Sequence, residues 1–272
     1  MWNNTKTNER GESSRRRVGR RTVLRGMGAA IVAGPVTMAQ STAAQAVTTI
    51  RFTEQSDGVF VTDGTLPVAQ ELFVFVHGWY GDDSVASQAE SILGSLETAG
   101  YTPDESIAIE WPASNWWYFD AEADTEGVGA TLASLIEASI DDGTTNVRLT
   151  GHSLGGRVVY WTADKLSAGY TISTIGAMGT AANGSTVCSG GVWHEGIGAS
   201  AQTVRNYHSH NDSTVGSAYG WFGEPALGTE GADCAGPSNY ADIDVTDTVG
   251  SHTEYLGDDQ VGNDLASVID AS

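Results

Sequence analysis

Asn146-Val147-Arg148-Leu149-Thr150-Gly151-His152-Ser153-Leu154-Gly155-Gly156 decides the reading of this chain. The first five residues have the apolar and β-branched content of a strand. After Ser153, residues Leu154, Val158, Trp161, Thr162 and Leu166 recur at helical spacing, and Gly169 closes the run. A serine between strand and helix, with glycine two residues to either side, predicts a sharp, strained turn. Such a turn lifts Ser153 Oγ clear of the sheet. The helix start behind it offers unpaired N–H groups to developing negative charge. Ser153 is therefore the candidate nucleophile.

Outward from this motif, apolar segments alternate in type. Val47 to about Ala69 predicts a hairpin, broken at Asp57-Gly58 and Asp63-Gly64. Leu72–Val76 reads as a strand buried on both faces. Val85, Ala89, Ile92, Leu93 and Leu96 mark a helix ending at Gly100, Ser106–Glu110 a strand, and Glu126–Ile140 a helix. Strands follow from Thr171, over Thr203–Tyr207 and over Tyr240–Val245, with a last helix over Gly262–Ala271. This order predicts an α/β domain, a mostly parallel sheet with helices on both faces. Reactive groups in such sheets gather at the carboxyl ends of the strands.

Residues 1–46 read as a leader rather than as part of the domain. Arg20-Arg21-Thr22-Val23-Leu24 resembles a twin-arginine (Tat) export signal, with Arg16-Arg17 as a competing pair. An apolar run from Gly26 to Ala39 and the small residues of Ala44-Gln45-Ala46 complete a three-part signal peptide. The reading is a secreted, extracellular protein with a domain over 47–272. The leader holds eight of the 13 Lys/Arg and two of the 34 Asp/Glu, so residues 47–272 keep five cations against 32 carboxylates, a net charge of −27. Such self-repulsion requires screening by salt. The composition resembles that of secreted, halophilic (haloarchaeal-type) proteins. It makes nucleic acid and anionic membranes poor partners, and no membrane span is expected. Two cysteines, Cys188 and Cys234, lie in Gly/Ser-rich stretches (184–200 and 228–238) that read as surface loops. Export and an even count predict one disulfide between them. No Cys or His spacing suggests a metal, and no cofactor is expected.

Phe75-Val76-His77-Gly78-Trp79 ends the first buried strand. Together with Gly151-His152-Ser153-Leu154-Gly155-Gly156 it resembles the α/β-hydrolase superfamily, particularly its lipase and esterase branches. The span from Leu72 to Tyr160, with Glu110-Trp111-Pro112, is also similar to the lipase-like DUF900 hydrolases. The resemblance implies an oxyanion hole from the backbone N–H of Leu154 and of Trp79, with Tyr80 as an alternative donor. It implies a catalytic triad in the order serine, acid, histidine. Four histidines follow Ser153, and His252 lies where the family keeps its base, after the last strand. His194 precedes every good acid candidate. Asp212, after the strand ending at Tyr207, matches the acid turn, with Asp242 and Asp244 as runners-up. The strand after the nucleophile leads to Gly176-Ala177-Met178-Gly179-Thr180. It has no carboxylate, which argues against the pancreatic-lipase-like branch.

Trp116, Trp117 and Tyr118, with Trp79 and Phe119, are candidates to line a substrate pocket. The expected activity is hydrolysis of a small-molecule or lipid carboxylic ester by a serine hydrolase. A thioesterase or amidase on the same fold, and an inactive hydrolase-fold surface or binding protein, are the alternatives.

Overall fold

The computed structural model describes residues 46–114, 117–219, 225–232 and 234–272. Residues 1–45 of the predicted leader lie outside them, as does Trp116. Eight strands form one sheet: β1 (Thr48–Ser56), β2 (Val59–Thr62), β3 (Glu71–Val76), β4 (Glu105–Glu110), β5 (Asn146–His152), β6 (Ile172–Met178), β7 (Ala201–His208) and β8 (Tyr240–Asp244). Their spatial order is β2-β1-β4-β3-β5-β6-β7-β8. Only β2 runs antiparallel, in the predicted hairpin with β1. All other pairings are parallel. Among the described residues, six α-helices accompany the sheet: α1 (Val85–Thr98), α2 (Tyr118–Asp141), α3 (Leu154–Lys165), α4 (His194–Ser200), α5 (Ser213–Tyr219) and α6 (Asp259–Asp270). This is the expected α/β domain, a mostly parallel sheet with helices on both faces.

The apolar run of β3 explains why both faces are covered. Leu72, Val74 and Val76 join the core under α2, α3 and α4, with Val128, Leu132, Val158 and Ile197. Phe73 and Phe75, displaced by one residue, enter the opposite core with Ile92 and Leu96 of α1 and Val261 and Leu265 of α6. A period of two places successive side chains on opposite faces, so only an uninterrupted apolar strand can fill both cores. Each such side chain contributes about 1.5–3 kcal/mol on full burial. The last helix starts where Asp258 caps it, its carboxylate accepting from the Val261 N–H at 2.9 Å.

Two local expectations need correction, and one helix was not expected. Helix α2 begins at Tyr118, eight residues before the expected Glu126. Its first turns carry Asp120, Glu122 and Asp124 rather than a long apolar stripe, so periodicity alone does not reveal them. The stretch over residues 184–200 is not a surface loop. It folds into a short 3-10 turn (Gly184–Val187) and α4, burying Trp193 and Ile197 completely. Helix α5, unforeseen, is a seven-residue element too short for a periodic signal. The predicted disulfide is present: Cys188 and Cys234 are bonded, with Cα atoms 5.7 Å apart.

All five cations of residues 47–272 are committed. Arg51 pairs with Glu110, Arg148 with Glu71, Arg157 with Glu122, Lys165 with Glu126 and Asp164, and Arg205 with Asp264. Most carboxylates thus have no cationic partner among the described residues. No helix there is long and apolar enough to cross a membrane.

Candidate active site

Ser153 sits between the end of β5 and the first residue of α3, with φ +59° and ψ −120°. A side chain other than glycine in this region is strained, at a cost of about 1–3 kcal/mol, and persists only where neighbours over-determine it. Here the neighbours are backbone. A Cβ on Gly151 would lie 2.2 Å from the Gly155 carbonyl oxygen, and one on Gly155 would lie 2.1 Å from that of Val76. The glycines around the serine are therefore required by close approach, as the sequence suggested. The Ser153 N–H donates to Met178 O at 2.9 Å, and its carbonyl accepts from the N–H groups of Gly156 and Ala181. The turn is thereby locked to the end of β6.

The loop after β3 packs directly on the serine. A Cβ on Gly78 would be 2.6 Å from Ser153 Cβ. His77 braces this loop. Its Nε2 accepts from the Trp111 N–H at 3.1 Å, so its proton resides on Nδ1 and is donated to Gly78 O at 2.7 Å. Burial lowers its pKa and keeps it neutral. The Trp111 indole N–H in turn donates to His77 O at 3.0 Å. Of the two N–H groups considered in this loop, that of Tyr80 is taken by Ala113 O at 3.3 Å. The Leu154 N–H belongs to the first helical position, which has no intrahelical acceptor.

Asp212 follows β7, and its side chain is completely buried. Oδ2 accepts from His252 Nδ1 at 2.7 Å, while Oδ1 accepts from the Val215 N–H at 3.1 Å. The loops bearing these two residues are tied together. Ser209 Oγ donates to Val249 O at 2.7 Å, and Asn211 Nδ2 donates to Thr246 O at 2.9 Å. The runners-up serve elsewhere. Asp242 accepts from Asn206 Nδ2, Tyr240 OH and the Ala232 N–H, and Asp244 from the Thr246 N–H. His194 and His208 are bonded to the carbonyls of Val187 and Thr229, and His210 stacks edge-on to His208.

His252 is also held from below. His152 Nε2 donates to His252 O at 2.6 Å, and the two rings lie 4.6 Å apart. Burial, and then the adjacent His252, push the His152 pKa down to about 3, so it is a neutral donor. The sequence marked His152 only as a motif residue. No local signal discloses a bond to a carbonyl one hundred positions later. With Nδ1 engaged by Asp212, His252 presents Nε2 as its available base. Ser153 and His252 line two cavities in common, without a direct hydrogen bond between their side chains.

The smaller cavity, about 100 Å³, is lined by Trp79, Tyr118, Val215, Ala218 and Tyr219. The larger, about 340 Å³, is lined by Tyr80, Ser84, Gln88, Thr253 and Leu256. Trp79 borders both. Among the aromatic candidates, Tyr118 is at the site, whereas Trp117 and Phe119 are 65% and 74% exposed and line neither cavity. Tyr219 was not foreseen. Among the described residues no cluster of His, Cys, Asp and Glu forms a metal site.

No protein-family model matches this chain, and no curated protein matches it in sequence. Solved structures do. A Listeria innocua gene product is similar at 11% identity and TM-score 0.51, covering 77% of this chain and 95% of its own. The esterase domain of a Rhodothermus marinus protein is similar at 14% identity and TM-score 0.43, covering 81% and 95%. Mouse alpha/beta hydrolase domain-containing protein 10 is similar at 13% identity and TM-score 0.44, covering 82% and 97%. At such identities the likeness concerns the fold.

Proposed function

We propose that this chain is a serine hydrolase of the esterase or lipase kind, cleaving carboxylic esters with Ser153, His252 and Asp212 as its triad. The observation that carries the reading is the convergence of a strained serine, a histidine and a buried carboxylate from three separate loops, with His252 Nδ1 2.7 Å from Asp212 Oδ2. His252 Nε2 removes the Ser153 Oγ proton as Oγ attacks the acyl carbon. The tetrahedral oxyanion is met by the N–H groups of Leu154 and Trp79. His252 then passes its proton to the departing alkoxide, leaving an acyl-Ser153 ester and a free alcohol. Water, deprotonated by the same nitrogen, attacks that ester and releases the acid. Asp212 holds the imidazole in the tautomer with Nδ1 protonated and stabilises the transient imidazolium.

The proposal extends to location. Residues 1–46 direct Tat export, residues 47–272 form the catalytic domain, and the enzyme works outside the cell in concentrated salt. The twin-arginine pattern, the disulfide and the net charge of −27 support this. The test is hydrolysis of 4-nitrophenyl butyrate in about 3 M salt, where screening is strongest. Ser153→Ala is expected to lose on the order of 10⁴-fold in kcat with its circular dichroism unchanged. Retained activity in that variant rejects the mechanism.

A further inference from the structure

The two cavities meeting at Ser153 differ in size, and resting on the serine-hydrolase reading above they divide the substrate. We infer that the enzyme is selective for short acyl groups, of about two to four carbons, joined to a bulkier uncharged alcohol. Tyr118 and Tyr219 set the acyl limit.

The smaller lobe is lined by Val215, Ala218, Thr214 and aromatic rings. Tyr118 and Tyr219 meet across it, their hydroxyls 2.5 Å apart. Both phenols are largely buried, and burial raises both pKa values, that of Tyr118 to about 12. Neither ionises at neutral pH, so the hydroxyl bond persists and ties α2 to α5. Trp79 stands edge-on to Tyr118 at 5.3 Å and walls the same lobe. Its volume of about 100 Å³ falls below the roughly 150 Å³ of a cavity that admits benzene. An alkyl chain beyond about four carbons would have to displace packed rings, and overpacking is costly.

The larger lobe has more than three times that volume and carries polar groups, Ser84, Gln88 and Thr253. No carboxylate, lysine or arginine lines either lobe among the described residues, although residues 47–272 carry a net charge of −27. An uncharged ester therefore meets no unpaired charge in either lobe. Catalysis assigns the lobes. When the ester C–O bond breaks, the acyl carbon stays on Ser153 Oγ and can remain enclosed. The alcohol takes the proton from His252 and must leave, which suits the wider lobe. Thr253, next to His252, lines that lobe and not the smaller one.

The assay compares kcat/KM for 4-nitrophenyl acetate, butyrate and decanoate. Active enzyme is counted by covalent labelling with diethyl 4-nitrophenyl phosphate, which carries no acyl chain. Wild type is expected to favour butyrate over decanoate by about 100-fold or more, and Tyr219→Ala to shrink that ratio by at least about tenfold. Ala218→Leu fills the lobe from an exposed position and is expected to lower butyrate relative to acetate by about tenfold, which decides the matter should Tyr219→Ala not fold. Gln88→Trp is expected to depress glyceryl tributyrate relative to methyl butyrate by a similar factor. Labelling with decanoate preferred, or ratios unmoved by these substitutions, overturns the division of the lobes and leaves the serine-hydrolase reading standing. Absence of labelling in wild type instead defeats that reading itself.

Discussion

Replacing Asp212 with Asn probes the site at its most buried charge. Asp212 has no exposed surface, and its two oxygens do different work: Oδ1 accepts from the Val215 N–H at 3.1 Å and Oδ2 from His252 Nδ1 at 2.7 Å. In Asp212→Asn the Val215 N–H still needs an acceptor, so the amide oxygen takes the Oδ1 place. The amide NH₂ then faces Nδ1. That contact is tolerable only if Nδ1 gives up its proton, which moves to Nε2 and disables the base. The same tautomer trap costs about 10⁴-fold in kcat in a well-studied serine protease triad, or about 5.5 kcal/mol of transition-state stabilisation. Stability is expected to change by no more than about 1–2 kcal/mol, because shape and hydrogen bonding survive. The assay is kcat on 4-nitrophenyl butyrate alongside a thermal melt. Asp242→Asn and Asp244→Asn serve as comparisons and are expected to stay active, since their carboxylates bind other partners. Activity of Asp212→Asn within tenfold of wild type refutes the reasoning, and loss in Asp242→Asn or Asp244→Asn moves the acid to β8.

Two further outcomes follow from charge. With all five cations of residues 47–272 already paired, lowering salt from about 3 M to 0.05 M lengthens the screening distance severalfold, and ellipticity and activity are expected to fall together; equal stability at both salts contradicts the salt-adapted reading. His152 has a folded pKa near 3 against an ordinary value of 6.5, so below pH 6.5 the unfolded chain takes a proton that the native state refuses. Stability is therefore full above pH 6.5 and declines as pH falls towards 3, by about 2 kcal/mol at pH 5 from this group alone. Urea unfolding of wild type and His152→Gln at both pH values measures it, and an unchanged pH slope in the variant contradicts the assignment.

The sequence made the centre of the molecule legible and left its margins dark, for physical reasons. The strand at Leu72–Val76 and the turn at Ser153 carry dense constraints, burial on two faces in one case and backbone crowding in the other, and both read directly from residue type. The contact between Asp212 and His252 was expected only because the hydrolase resemblance implies an acid and then a histidine after the serine. Helices α4 and α5 were not expected, since seven residues rich in Gly, Ser and Ala hold too few apolar positions to show a period. Tyr118 and Tyr219 meet across one hundred and one positions, and His152 and His252 across one hundred. Such contacts belong to the tertiary fold, and neither residue of either pair has a neighbour in sequence that announces the other.

The claim on which everything else depends is that Ser153 Oγ is a nucleophile activated by His252. It is tested most directly by treating the protein in about 3 M salt, where charge is screened, with diethyl 4-nitrophenyl phosphate and mapping the adduct by peptide mass spectrometry. One diethylphosphoryl group per chain is expected, on Ser153, with labelling abolished in Ser153→Ala and strongly slowed in His252→Ala. An unlabelled wild-type protein, or a label on another residue that survives Ser153→Ala, would contradict it.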